Sequence, residues 1–282
     1  MTPETLKQLL IDYGLSPNKT FGQHFLMDEI VLQDMLDVAK VGDKDVVVEV
    51  GPGIGNLTKF LLDKAGAVFS VEKDPQFTNV LNSLKKKHKN FKYVLADILE
   101  TDIDSVLTGE ASKNDYKVVA NIPYYVTGKI VQYFLKREHK PTSLTLLMQK
   151  EVANNLTAKE GSLNLLAISV QLYADVKLVE VVPARKFFPA PKVDSAVVHI
   201  ELHKKSKYKI DSTTEQKLFK VLRACFTGKR KQIHNTLTNN FGMPKDVVLK
   251  ILSKLKLDPQ LRPQQLTIKQ WIDLVTELNS AK

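Results

Sequence analysis

Short apolar runs alternate with amphipathic segments between residues 44 and 202, and this pattern predicts a doubly wound α/β fold. The runs are rich in Val and Leu, as expected for parallel strands that helices cover on both faces. The predicted strands are Asp45–Val50, Ala67–Glu72, Lys92–Leu95, Lys117–Ala120, Ser143–Met148, Val176–Val182 and Ala196–Leu202. The predicted helices between them are Leu57–Lys64, Pro75–Lys86, Lys129–Lys136 and Leu163–Tyr173.

The last two predicted strands flank the loop Pro183–Ser195, and no helical pattern separates them. This favours an antiparallel hairpin at one edge of the sheet, because parallel neighbours need a crossover. A Lys-rich linker follows at His203–Asp211, and prolines then separate four short predicted helices. These helices are Glu215–Cys225, Arg230–Asn239, Lys245–Leu255 and Ile268–Leu278. We therefore expect an α/β domain at residues 1–203 and a small all-α domain at residues 204–282.

Charge is distributed unevenly between these two parts. The net charge of the chain is +10. Residues 1–202 contain 24 Lys and Arg against 25 Asp and Glu, whereas residues 203–282 contain 17 against 6. A basic module attached to a neutral one indicates a polyanionic partner such as a nucleic acid. The alternative interpretation is a solvated Lys-rich helical surface.

The composition of the 282 residues limits the other possibilities. A single cysteine, Cys225, excludes an internal disulfide framework and a Cys-based zinc site. No apolar run approaches the roughly 20 residues of a membrane span. The first 13 residues have no signal-peptide or transit-peptide character. We therefore expect a cytoplasmic protein without a membrane partner.

Asn121-Ile122-Pro123-Tyr124 follows a predicted strand, at the edge where an open parallel sheet binds ligands. An Asn oxygen and a nearby backbone carbonyl can accept both hydrogens of a nucleobase amine. Pro123 fixes the turn and removes a competing donor, and Tyr124 offers a flat face on which a base can stack. Taken alone, the segment also fits an ordinary strand-ending turn.

A glycine-rich turn, Gly51-Pro52-Gly53-Ile54-Gly55, follows the first strand, and its spacing differs from the dinucleotide pattern G-x-G-x-x-G. This turn suits a nucleoside whose tail ends in an amino acid. Glu72 ends the next strand, where an acid accepts hydrogen bonds from ribose hydroxyls. Asp97 follows the third strand and is placed to accept an adenine amino group. Together with Asn121, these strand ends fit S-adenosylmethionine.

Five motifs make the chain similar to the ribosomal RNA adenine dimethyltransferases along nearly its whole length. They are Phe21–Leu26, the Glu49–Gly55 turn, Asn121–Tyr124, Met148–Ala153 and Phe187–Val197. The resemblance implies a class I, Rossmann-like methyltransferase sheet and S-adenosylmethionine as the methyl donor, without a metal. It also implies that His24, which stands where Asn is usual, lies in the cofactor site with Leu26, Gly51, Gly53, Glu72, Asp97, Ile98 and Asn121.

The same resemblance implies the roles of the residues around the target base. Asn121 and the carbonyl of Ile122 or Pro123 hold the amine, while Tyr124 stacks on the adenine. Phe187 closes on the other face of the base. The alternative interpretation is a hydrophobic plug beneath its loop, and the two roles are compatible. The implied reaction is in-line attack of the amine on the sulfonium methyl, run twice to give dimethyladenosine.

Recognition of RNA is expected mainly from the basic C-terminal part. Three adjacent cations, Lys229, Arg230 and Lys231, precede or begin a predicted helix, and Arg223 lies earlier in the chain. Cations at a helix start oppose the helix dipole, so an anionic partner such as RNA phosphate is the natural explanation. The alternative interpretation is a solvent-exposed cluster with no partner. The implied partner is small-subunit rRNA within an immature small ribosomal subunit, bound by a monomer.

Two alternatives remain open. A large-subunit adenine methyltransferase of the macrolide-resistance type shares the Asn121–Tyr124 motif, but the run Pro191–Val197 is more typical of the housekeeping enzyme. A non-catalytic ribosome-assembly or nucleic-acid-binding factor with this fold has no need to retain Glu72, Asp97 and Asn121 together. The sequence therefore favours dimethylation of small-subunit rRNA, with two adjacent adenines of a 3'-terminal hairpin loop as the expected target.

Overall fold

The computed structural model describes residues 2–18, 21–107, 115–228 and 230–280. All seven predicted strands are observed, with ends that shift by up to two residues. The strands are β1 (Phe25–Leu26), β2 (Val46–Val50), β3 (Ala67–Glu72), β4 (Phe91–Leu95), β5 (Tyr116–Asn121), β6 (Ser143–Gln149), β7 (Ala174–Val182), β8 (Phe187–Phe188) and β9 (Ser195–Leu202). The two-residue strands β1 and β8 were not predicted.

The helices follow the amphipathic segments of the sequence. They are α1 (Pro3–Asp12), α2 (Glu29–Val38), α3 (Asn56–Lys64), α4 (Thr78–Lys87), α5 (Ile103–Val106), α6 (Thr127–Leu135), α7 (Lys150–Leu156), α8 (Leu165–Gln171), α9 (Ser212–Thr227), α10 (Ile233–Phe241), α11 (Lys245–Lys254) and α12 (Ile268–Ser280). Within the described ranges, no helix combines the length and apolar character that crossing a bilayer requires.

Side-chain caps fix where several of these helices begin. The Asp28 carboxylate accepts the N–H groups of Ile30 and Val31 at the start of α2. Asp211 likewise accepts the Thr214 N–H at the start of α9. Such caps satisfy backbone donors that have no partner within the helix, and each stabilises the helix by about 1 kcal/mol.

Seven strands form one sheet in the order β4-β3-β2-β5-β6-β9-β7. The first five run parallel, and β9 pairs antiparallel with both β6 and β7. The predicted antiparallel hairpin at the sheet edge is therefore confirmed. Strands β1 and β8 form a separate two-stranded sheet in which Leu26 pairs with Phe187. Parallel pairing brings the carboxyl ends of β2, β3, β4 and β5 to one edge.

The chain divides into two compact units. The first comprises Met1–Asn154 and Ala174–Lys204, and the second comprises Asn155–Tyr173 and Lys205–Lys282. The observed boundary at Lys204 lies one residue from the predicted one. However, residues 155–173 were assigned by the sequence pattern to the first domain and belong to the second unit.

Each unit has its own apolar core. In the first, Val47, Leu61 and Leu81 are fully buried in a cluster formed by β-strands and their covering helices. In the second, Ile168 and Trp271 are fully buried among residues of the C-terminal helices. Burial of Ile168 and its neighbours against this second core explains why residues 155–173 do not join the first unit.

We expect Trp271→Ala to lower the free energy of unfolding by about 3–5 kcal/mol, because it leaves a large cavity in the second core. Trp271→Phe should cost less, since it keeps most of the apolar contact and removes a buried indole N–H without a partner among the described residues. Denaturant unfolding followed by circular dichroism measures both. Equal losses for Phe and Ala would contradict this account of the packing.

Candidate active site

One cavity in the first unit lies at the carboxyl ends of β2, β3, β4 and β5, beside the N-terminal segment 21–26. This is the edge where open parallel sheets bind ligands. The predicted residues that line this cavity are His24, Leu26, Gly51, Gly53, Glu72, Asp97, Ile98, Asn121, Ile122, Pro123 and Tyr124. Residues far apart in the chain therefore share one site, as the contact between His24 and Asn121, which are 97 positions apart, illustrates.

The glycine turn between β2 and α3 has a backbone that other residues rarely adopt. Gly51, Gly53 and Gly55 have φ angles of +70°, +55° and +78°. A Cβ at Gly53 would lie 3.3 Å from the Phe25 ring, whereas a Cβ at Gly51 would meet nothing within 4 Å. The turn therefore leaves room beside Gly51 and lets the backbone form part of the cavity wall.

Glu72, at the end of β3, is 5% exposed and is held by two backbone donors. One carboxylate oxygen accepts the Gly53 N–H at 2.9 Å, and the other accepts the Asp74 N–H at 2.8 Å. Burial raises the pKa of this carboxyl, although the backbone hydrogen bonds oppose the shift. Because each oxygen has a second lone pair, Glu72 can still accept hydrogen bonds from a ligand.

Asp97 follows β4 and forms an ion pair at the cavity. Its Oδ2 lies 2.7 Å from the Lys73 Nζ, and its Oδ1 accepts the Leu99 N–H at 2.9 Å. Burial alone would raise the pKa of Asp97, but the hydrogen bonds from Lys73 and Leu99 lower it on balance. The carboxylate is therefore ionised and available as an acceptor near neutral pH.

Glu49, within β2, is a buried acid that the sequence pattern did not assign a role. One of its carboxylate oxygens accepts the hydroxyls of Thr58 and Ser70, both at 2.8 Å. Burial raises its pKa to about 7, and the nearby Glu72 adds to the increase. The cavity therefore contains one acid held ionised, Asp97, and two whose protons bind more tightly than usual.

Asn121 ends β5, and its side-chain orientation is fixed by a contact with the N-terminal segment. Its Nδ2 donates to the His24 carbonyl at 3.1 Å. Because a carbonyl oxygen can only accept, the NH₂ group of Asn121 must face His24. The Asn121 Oδ1 is then the acceptor at the other side of the amide. This is the atom that the sequence predicts as an acceptor for a hydrogen of the target amine.

The tautomer of His24 follows from the same reasoning. Its Nδ1 lies 2.6 Å from the Pro189 carbonyl oxygen, so Nδ1 carries the proton. In the neutral ring, Nε2 is then an acceptor. The imidazole also lies nearly parallel to the Tyr124 ring, with ring centroids 5.7 Å apart and an interplanar angle of 18°. His24 thus links the N-terminal segment to both β5 and the loop after β8.

Tyr124 is held in one position at the cavity. Its hydroxyl and the Ser195 hydroxyl are 2.6 Å apart, and Ser195 begins β9. Burial raises the pKa of this phenol, so it stays neutral. The ring is therefore fixed at its polar end by Ser195 and covered on one face by His24.

Phe187 does not line this cavity in the structure. Its side chain is 2% exposed and belongs to the core of the first unit, while its backbone pairs with Leu26 between β8 and β1. Of its two predicted roles, this placement supports the hydrophobic plug. Contact with a target base would require movement of the loop that carries Phe187.

Side chains that were not predicted also line the cavity, and Asn56, Lys73 and Tyr125 are among them. Asn56 begins α3 and donates to the Leu26 carbonyl at 2.9 Å, while its buried Oδ1 has no partner among the described residues. Tyr125 is 59% exposed. Each directly follows a predicted site residue or motif, which is the signal by which the sequence could have indicated it.

The predicted RNA-binding cations lie in the second unit. Arg223 is exposed on α9, and Arg230 and Lys231 are exposed just before α10. Lys229 lies outside the described residues. The helix predicted from Arg230 begins instead at Ile233, because the Lys231 N–H closes a turn on the Gly228 carbonyl at 2.8 Å. The cations therefore precede the helix rather than forming its first turn.

The family whose model is described as ribosomal RNA adenine dimethylase matches residues 14–280. The chain belongs to this family. A curated relative, the ribosomal RNA small subunit methyltransferase A of Dehalococcoides mccartyi (strain CBDB1), is 38% identical over 96% of this chain and 91% of its own. The predicted rRNA adenine dimethyltransferase activity is thereby confirmed.

Two solved structures share the fold of the dimethylase. A dimethyladenosine transferase from Plasmodium falciparum is 26% identical, with a TM-score of 0.76 over 91% of this chain and 98% of that one. The 23S rRNA methyltransferase ErmE is also 26% identical, with a TM-score of 0.72 over 90% of this chain and 99% of that one. The predicted class I methyltransferase fold is confirmed.

The raised pKa of Glu49 makes stability depend on pH. Since this carboxyl binds its proton more tightly in the folded chain, its contribution is complete below the ordinary value of 4.5 and is lost as pH rises to about 7. We expect the wild type to lose up to about 1.4 kcal/mol per pH unit more than Glu49→Gln across this interval. Denaturant unfolding at a series of pH values measures the difference.

The exposed Glu138 provides the matched control for that series. Glu138→Gln should reproduce the wild-type pH dependence, since the same chemical change is made at a solvated carboxyl in the same unit. An unchanged pH dependence in Glu49→Gln would mean that Glu49 is ionised in the folded protein throughout this range.

Proposed function

We propose that the enzyme uses S-adenosylmethionine to dimethylate two adjacent adenines in a 3'-terminal hairpin loop of small-subunit rRNA, within an immature small ribosomal subunit. The observation that carries this proposal is the orientation of Asn121, whose Nδ2 is engaged by the His24 carbonyl and whose Oδ1 remains to accept a substrate hydrogen. The small subunit is favoured because the relative named above is a small-subunit enzyme.

The hydrogen-bond acceptors and apolar side chains of the cavity fit S-adenosylmethionine. Glu72 would accept the ribose hydroxyls on its second lone pairs, and Asp97 would accept the adenine amino group. Ile98 and Leu26 are buried apolar residues that line the cavity and can contact the purine ring. The partnerless Oδ1 of Asn56 suits the ammonium group at the methionine end, since a buried acceptor without a donor is costly.

When bound, S-adenosylmethionine supplies a methyl group on a positively charged sulfur, so the residues of this chain need only to position and polarise the attacking amine. The Asn121 Oδ1 and a backbone carbonyl would each accept one amine hydrogen. The Pro123 carbonyl already accepts the Val126 N–H at 3.3 Å. The Ile122 carbonyl is therefore the better second acceptor.

Tyr124 would orient the target base by stacking on it with the ring face that His24 does not cover. The hydrogen bond with Ser195 and the stacked His24 ring hold Tyr124 in place, so little entropy is lost when a base stacks on it. Extruding the adenine costs a few kcal/mol, and a hairpin loop lowers that cost. Good orientation of amine and methyl group can lower the barrier by roughly 7–11 kcal/mol.

The second unit would supply phosphate contacts. Arg223, Arg230 and Lys231 are exposed cations, and in the described residues none of them has a carboxylate within ion-pair distance. Lys229 directly precedes Arg230 in the sequence, and we propose the same role for it. Action as a monomer and a location in the cytoplasm remain predictions from the sequence.

We expect Asn121→Ala to lower kcat for methyl transfer to small ribosomal subunits on the order of a hundredfold or more, since it removes the side-chain acceptor at the amine. Asn121→Asp should retain more activity, because it keeps an acceptor oxygen while losing the donor to His24. Initial rates at saturating S-adenosylmethionine and subunits measure both variants.

Asn82→Ala is the matched control, because Asn82 is an exposed amide on α4 away from the cavity. Its rate should equal that of the wild type. Near-wild-type turnover by Asn121→Ala would reject the proposed role of Asn121 at the amine.

A further inference from the structure

A second cavity, of about 580 Å³, lies wholly within the second unit and is distinct from the methyltransferase site. We call it the second-unit cavity. Its wall combines three cations, Arg230, Lys231 and Arg262, with the amide side chains of Gln232, Asn235, Asn239 and Gln260. Most of these side chains are exposed, so the cavity is open to solvent and accessible to an unpaired nucleotide of an RNA.

The two segments that form this wall are tied together. The Ile233 N–H, at the start of α10, donates to the Leu261 carbonyl at 2.8 Å. The His234 Nδ1 lies 2.8 Å from the Pro259 carbonyl oxygen, so it carries a proton and donates. Both bonds join the first turn of α10 to the segment before Arg262. The cavity is therefore preformed, which lowers the entropy cost of binding.

The second-unit cavity has a positively charged wall, which favours an anionic ligand. No carboxylate contributes to its wall, and among the described residues Arg230, Lys231 and Arg262 have no carboxylate within ion-pair distance. Gln232, the N-cap of α10, does not cap the helix with its side chain. Three cations without a carboxylate partner, beside a helix start that no side chain caps, form a suitable environment for phosphate.

The amides indicate more than a phosphate contact. Asn235 and Asn239 are four residues apart on α10 and so project from one face of the helix. Gln260 adds a third amide from the facing segment. Amide groups both donate and accept, as the edge of a nucleobase does, and guanidinium planes such as those of Arg230 and Arg262 can stack on an unpaired base.

We propose that the second-unit cavity binds one unpaired nucleotide of the substrate RNA. Arg230, Lys231 and Arg262 hold its phosphates, and Asn235, Asn239 and Gln260 hydrogen-bond the edge of its base. This assignment rests on the proposed RNA substrate and extends it, because it makes the second unit a reader of one base rather than only a contact for the RNA backbone.

The test uses full-length protein and unmodified small-subunit rRNA, with binding measured over a range of salt concentrations. Asn235→Ala combined with Asn239→Ala should weaken binding roughly tenfold or more without changing the salt dependence. Arg262→Gln should reduce the slope of log affinity against log salt by about 1. Asn240→Ala and Lys250→Gln, which alter exposed residues outside the cavity, should match the wild type.

Chemical probing of base edges at saturating protein provides the second readout. Wild-type protein should protect one unpaired base that the double amide variant leaves reactive, and circular dichroism should show both proteins folded. If the amide variant binds and protects like the wild type while Arg262→Gln lowers the salt slope, the cavity contacts only phosphate and the nucleotide assignment is wrong. If neither variant differs from the wild type, the cavity binds no RNA.

Methyl transfer by the wild type, measured in parallel, separates this inference from the proposed function. Wild-type transfer to small subunits with unaltered amide-variant binding would reject the nucleotide site alone. If the wild type transferred no methyl group, the proposed function would be rejected. Protection of a base by the second-unit cavity would still be measured on the RNA, so the two outcomes are distinguishable.

Discussion

The hydrogen bond between the Asn121 Nδ2 and the His24 carbonyl is the contact on which the arrangement of the active site depends. It joins the end of β5 to the N-terminal segment, and it fixes the orientation of the Asn121 amide at the cavity. His24 is itself held by the Pro189 carbonyl and lies against Tyr124. The N-terminal segment, the end of β5 and the loop after β8 are thereby held together at the cavity.

The site also contains two buried acidic side chains. Glu49 and Glu72 are almost completely buried, and burial raises the pKa of each. Hydroxyls and backbone N–H groups offset only part of that cost. A ligand that donates hydrogen bonds to Glu72 would offset more of it, so cofactor binding is expected to stabilise the first unit. Burial of these carboxyl groups therefore lowers the stability of the folded chain without ligand, a common property of functional sites.

Much of the fold was predictable because it depends on local patterns. The strands of the seven-stranded sheet follow apolar runs, and their parallel register brings Gly51, Glu72, Asp97 and Asn121 to one edge. What the sequence did not reveal depends on distant contacts. The two-residue strands β1 and β8 exist only because they pair with each other, and residues 155–173 join the second unit through tertiary packing alone. For Phe187 the sequence left two roles open, and the packing of its side chain in the core of the first unit favours the hydrophobic plug.

The most direct test of the central claim is labelled methyl transfer from S-adenosylmethionine to small ribosomal subunits that lack the modification, with large subunits assayed beside them. The account predicts that label appears as N6,N6-dimethyladenosine in small-subunit rRNA alone. Label in large-subunit RNA would support the macrolide-resistance type of enzyme instead. No label in either subunit, with RNA binding retained, would contradict a catalytic role.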